Sequence, residues 1–274
     1  MVRTLIRMVL AVCGLSAVAA AQDSDGAWKN LIMQALYSAG ANDYQKAEQI
    51  FQRALREAER FGPADPRVGT TLNSIGLVYK TQKRYGDAET SFRRSLSILE
   101  KAYGNGSIDV ANVNFNIASV LTEQGKHSLT LPFLERSLAT YRRQLGDQSA
   151  KAAAALCMIG DSQRVMRVWA EAENSLKECA AIRESQGGVV NTELADALFS
   201  LARVYQSEGK FALADSRFVL AEKIREKTLG IMSPAFADVL EEHAAMLRNM
   251  GRQAEANKDA SLAAAIRRNE EKKK

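Results

Sequence analysis

Cys157 and Cys179, His127 and His243, and acid–base pairs such as Asp161 and Arg164 are the residues of this chain whose types can do chemistry. A thiol pair offers a disulfide, an imidazole a proton shuttle or a metal ligand, and a carboxylate near a base general acid–base work. Their spacing does not assemble any of these. The two histidines stand far apart, and no P-loop, dinucleotide-binding glycine pattern, nucleophile elbow or zinc-ligand pair occurs. His127 falls where other segments carry Tyr44, Tyr85, Trp169 and Phe211, so it reads as a packing residue, and His243 beside Ala244 takes the same reading. Cys179 lies in a series of small residues that face a partner helix, while Cys157 falls on the other face of its own. Two unbridged thiols are therefore expected, with Cys179 a small core residue. The scattered carboxylates read as solvated helix faces.

The elements that would carry these residues are legible from periodicity. The 274 residues are 46% hydrophobic and 25% charged with only four Pro, a soluble and strongly helical composition. Glycines recur every 42 residues at Gly62, Gly104, Gly146, Gly188 and Gly230, each just after an apolar stripe that it can terminate. Three residues after each comes a short polar side chain, Asp65, Ser107, Ser149, Asn191 or Ser233, able to accept bonds from the free N–H groups of the next helix. Pro66 and Pro234 then occupy a first helical position. Small residues recur in phase: Ala35, Gly76, Ala118, Gly160, Ala202 and Ala244 in one helix of each unit, Ala47, Ala88, Thr130, Ala172, Ala214 and Ala256 in the other. A third small series is Ala54, Ser95, Ser137, Cys179, Ala221 and Ala263. Leu129, Leu131 and Pro132 break the pattern in the third unit, with Pro132 expected in a helical first turn.

Residues 1–21 stand apart. Arg3 and Arg7 precede an apolar run that ends in Ala19-Ala20-Ala21, the form of a secretory signal peptide cut after Ala21. The run is too short for a membrane span, and Val12 is bulky for a lipidated Cys13. Without the leader's two Arg, 35 basic residues face 32 acidic ones, a net of +3. That balance carries no phosphate-neutralising stripe, so nucleic acid is not an expected partner, nor is stable membrane insertion after cleavage. Residues 22–25 form a lead-in, 26–268 the repeats and 269–274 a charged tail.

The segment TLNSIGLVYKTQKRYGDAETSFRRSLSILEKAYG, Thr71 to Gly104, resembles a tetratricopeptide repeat of the long kinesin-light-chain type: a small residue, a Tyr, a turn, Y-x-x-A-E and F-x-x-[AS]-L. The resemblance implies an all-α fold, a right-handed superhelix of about six helix-turn-helix hairpins. In that family the first helices line a concave groove, and carrying over their positions selects Asn73, Lys80, Asn112, Phe115, Asn116, Ser119, Arg164, Phe199 and Arg203. Amides at those positions pair with the backbone of an extended peptide, aromatic rings cover its apolar side chains, and Arg meets its acidic groups. The expected function is an exported, non-catalytic scaffold for a protein or peptide segment, periplasmic or secreted, with no cofactor or metal. The alternative is a structural subunit of a cell-envelope assembly, using the outer face or the terminal repeat.

Overall fold

The computed structural model describes residues 25–187 and 191–272, so the expected leader lies outside the described residues. Among them are twelve α-helices and no strand. The chain divides into two compact units that meet at Gln144 and Leu145. The first holds α1 (Gly26–Gly40), α2 (Tyr44–Glu59), α3 (Pro66–Thr81), α4 (Tyr85–Tyr103), α5 (Ile108–Glu123) and α6 (His127–Leu145), whose last residue crosses the boundary. The second holds α7 (Ala150–Val165), α8 (Trp169–Gly187), α9 (Thr192–Ser207), α10 (Phe211–Leu229), α11 (Pro234–Asn249) and α12 (Gln253–Glu271). Three hairpins thus fall in each unit, and α12 runs beyond the 268 boundary expected for the repeats.

The start signals act as their chemistry dictates. Asp65 accepts from the Arg67 N–H, Ser107 from Val110, Ser149 from Ala152, Asn191 from Glu193 and Leu194, and Ser233 from Phe236. Gly104 and Gly230 end α4 and α10 with φ of 77° and 82°, a region that costs a side chain dearly. Gly188 lies outside the described residues. Pro132 sits inside α6, further along than the first turn expected for it, and the helix continues through it.

Within each unit a second helix packs on the first helix of the next hairpin. The core of the first unit is built around Phe51, Phe92, Ile32 and Ile117, all almost fully buried. Small residues set the approach of the helices: a β-carbon at Gly76 would lie 2.6 Å from the Phe92 ring, and one at Gly160 would lie 2.6 Å from Leu176 Cγ. At the rim, an ion pair recurs between the second helix of one hairpin and the turn of the next. Arg84 meets Glu48 at 2.9 Å and Lys126 meets Glu89 at 3.9 Å in the first unit. Lys210 meets Glu173 at 3.0 Å and Arg252 meets Asp215 at 2.9 Å in the second.

Candidate binding face on the first helices

A first helix in these hairpins packs against its own partner and against a neighbouring hairpin, which leaves one stripe of its surface as the candidate face. In the first unit that stripe is carried by α3 and α5. Lys80 on α3 donates through Nζ to Ser119 Oγ on α5, and burial pushes the Lys80 ammonium below its ordinary pKa while Glu123 opposes the shift. Tyr85 donates to Glu123 at 3.3 Å. Phe115, also on α5, is half-buried.

The three asparagines take a different form from freely presented amides. Asn116 Nδ2 donates to Asn73 Oδ1 at 2.9 Å, and the two residues are only 8% and 3% exposed. Asn112, also buried, accepts from the Tyr141 hydroxyl at 3.0 Å. These side chains join helices. A buried amide must be paired somewhere, and neighbouring helices supply the partners. Burial alone raises the Tyr141 phenol well above its ordinary range, which keeps it a hydrogen-bond donor. The Tyr141–Asn112 contact recurs in the second unit with charged residues at equivalent positions, Arg225 to Asp196 at 2.7 Å and Arg267 to Asp238 at 2.5 Å.

In the second unit the stripe is cationic and aromatic. Arg203 on α9 pairs with Glu242 on α11 at 3.0 Å, while Arg164 on α7 reaches Asp161 at only 3.5 Å. Burial, followed by the neighbouring Arg203 charge, lowers the Arg164 pKa, so the two guanidiniums lie close enough to repel. Phe199 meets Phe218 edge-on at 6.0 Å, with Arg225 at 4.9 Å and Arg203 at 5.6 Å from its ring centre. The site residues therefore gather into one set on α3 and α5 and another on α7 and α9.

The expectation of two unbridged thiols is overturned. Cys157 on α7 and Cys179 on α8 form a disulfide with Cα atoms 5.5 Å apart. Cys157 stands at the unit position of Phe115 and Phe199, and Phe199 touches the second helix of its own hairpin through Phe218. That position borders the partner helix, and Gly160 less than one turn away draws the two helices together. The equivalence of Cys157 with two large aromatics was the available signal, because a position that seats a ring in two hairpins faces more than solvent.

A tetratricopeptide repeat family model matches residues 34–101 and 109–185. A clustered mitochondria protein homolog from Culex quinquefasciatus is 29% identical over 147 residues, 53% of this chain and 11% of that protein, so the chain spans about a tenth of that relative's length. Among solved structures, BtubC (BKLC) from P. vanneervenii superposes with a TM-score of 0.68 at 20% identity, covering 84% of this chain and 90% of that one. NprR in complex with its cognate peptide NprX superposes with a TM-score of 0.63 at 16% identity, covering 95% and 72%. Both superpositions speak to the fold. With its 42-residue hairpin units and a family model matched over more than half its length, the chain belongs to the tetratricopeptide repeat family.

Proposed function

We propose that this protein is an exported scaffold that holds an extended protein or peptide segment along its first-helix faces, without catalysis of its own. The carrying observation is the Arg164 and Arg203 pair beside Phe199: two like charges on successive first helices, one of them weakly paired, favour an anion between them. An acidic side chain or terminal carboxylate on an otherwise apolar segment fits that chemistry. The peptide carried by NprR, a protein of similar fold, supports the same class of ligand. Export is supported by the disulfide, a bond favoured in oxidising compartments, together with the leader-like residues 1–21.

Envelope extract passed over the immobilised chain tests this reading. Phe115→Ala and Arg203→Ala should each weaken capture of the recovered partner by ~2 kcal/mol, as aromatic and Arg anchors do, while Lys101→Ala on an exposed face should not. A second reading, a subunit of an envelope assembly, is favoured by Met33 and Tyr37 on α1, which are 50% and 76% exposed. Loss of binding in Tyr37→Ser, with both first-helix variants binding like the parent, would replace the first reading by the second.

A further inference from the structure

His243 occupies a unit position that is apolar in the four preceding hairpins, the first hairpin carrying an exposed Gln34 there. Its equivalents at 42-residue spacing are Ile75, Ile117, Ile159 and Leu201, all buried. Glu222 likewise stands where other hairpins carry Leu55, Leu96, Leu138 and Ala180. At the last junction of the second unit, α10 against α11 and α12, an apolar interlock has thus been exchanged for an imidazole and a carboxylate. Such an exchange gives up burial energy and places polar groups where water is scarce, so something must compensate it.

The geometry shows what would. His243 is 4% exposed and stacks on Phe218, with ring centres 5.2 Å apart. Its Nε2 lies 2.9 Å from Asp215 Oδ1, and the other Asp215 oxygen is held by Arg252 at 2.9 Å. In the neutral imidazole whose Nε2–H donates to that anchored carboxylate, the lone pair is on Nδ1. Nδ1 faces Glu222 Oε1 at 2.7 Å and Asp259 Oδ2 at 3.4 Å. Three acceptors then converge with no donor among them. A proton on Nδ1 can bond one carboxylate well, whereas an ion at the point of convergence engages all three.

From this we infer that Glu222, His243 and Asp259 bind one divalent transition-metal ion of the Zn2+ class, tying α10, α11 and α12 together. The three donor atoms lie within 4.8 Å of one another. They bracket the roughly 3.3–3.5 Å ligand separations that Zn–N and Zn–O bonds of about 2.0–2.2 Å require in a tetrahedron. One imidazole and two carboxylates leave a fourth position for water. Asp215 is a positioning residue: it fixes the tautomer and aims the ring, as carboxylates behind ligating histidines do. Because the ligands come from three successive helices, the ion would fasten the terminal hairpin to the one before it.

The test uses the chelator-stripped full chain and Zn2+ alone, with equilibrium dialysis for affinity and stoichiometry and Co2+ absorption for ligation. One ion per chain should bind. Glu222→Gln and Asp259→Asn, which keep side-chain shape, should each lower affinity tenfold or more with helical circular dichroism unchanged. Asp215→Asn should lower it about 10- to 100-fold. Glu226→Gln, an exposed change on α10, should leave it as it was. Co2+ should give the visible bands of a four- or five-coordinate site, a readout on the unaltered chain that does not depend on any variant folding. Absence of saturable Zn2+ binding, absence of those bands, or unchanged affinity in both carboxamide variants would each overturn the assignment.

Discussion

Glu173 carries three contacts at once. It accepts from Lys177 one turn ahead on α8, from Lys210 at the start of the next hairpin's second helix at 3.0 Å, and from the Tyr205 hydroxyl at 3.3 Å. The Lys177 hydrogen bond, aided by Lys210, outweighs partial burial and holds the carboxyl below the ordinary glutamate range. A carboxylate whose folded pKa is depressed contributes stability that is complete above its unfolded value, about 4.3. That contribution fades as pH falls from there through the folded value. Glu173→Gln should therefore destabilise at pH 7 by less than ~1 kcal/mol, since solvent screens the pairs. It should also flatten the fall in melting temperature between about pH 5 and pH 3. Parallel acid limbs for parent and variant in a pH series of melts would contradict this.

Two features of the α7 and α8 hairpin make separable claims at the scale of the element. At Gly160 a β-carbon would lie 2.6 Å from Leu176 Cγ and 3.3 Å from the Ala172 carbonyl oxygen, so relief requires motion of backbone as well as side chain. Gly160→Leu should cost at least the ~1–3 kcal/mol typical of overpacking. Lys101→Leu on an exposed face should change the denaturation midpoint little, and equal effects would show that the helices do not approach closely at Gly160. The Cys157–Cys179 bridge spans 22 residues of chain. Closing a loop of that length restricts the unfolded ensemble by an amount worth about 3 kcal/mol. The Cys157→Ser, Cys179→Ser double variant should lose about that much stability and no longer respond to reductant. A parent chain whose unfolding is identical with and without reductant would show that the bridge does not form.

For the molecule as a whole, a repeat array draws its stability from each hairpin and from the contacts between neighbours, so its surface is free to vary with the partner. The disulfide joins two helices of one hairpin. We propose that export removes residues 1–21, because Arg3 and Arg7 lead into an apolar run closed by Ala19-Ala20-Ala21. N-terminal sequencing of the exported protein should begin at or near Gln22. Recovery of Met1, or of an acyl group on Cys13, would contradict that cleavage.

The helices, their caps and their pairing into hairpins were legible in the sequence because each is decided by residues near one another in the chain. Ser107, Ser149 and Ser233 cap the helices that their spacing from Gly104, Gly146 and Gly230 indicated. The small residues at Gly76 and Gly160 mark close approach, since an added β-carbon would lie 2.6 Å from the facing side chain. What the tertiary structure decided is how first-helix polar groups are spent. Whether Asn116 faces solvent or Asn73 depends on a neighbour 43 residues away. Whether Cys157 meets Cys179 depends on a rotation of about 60° around a helix axis, which periodicity resolves poorly. The convergence of Asp215, Glu222, His243 and Asp259 rests on three helices, so no local pattern announces it. Local signals set the elements, since caps and turns act within a few residues; the chemistry at their junctions was set by packing, which brings together groups that the chain keeps apart.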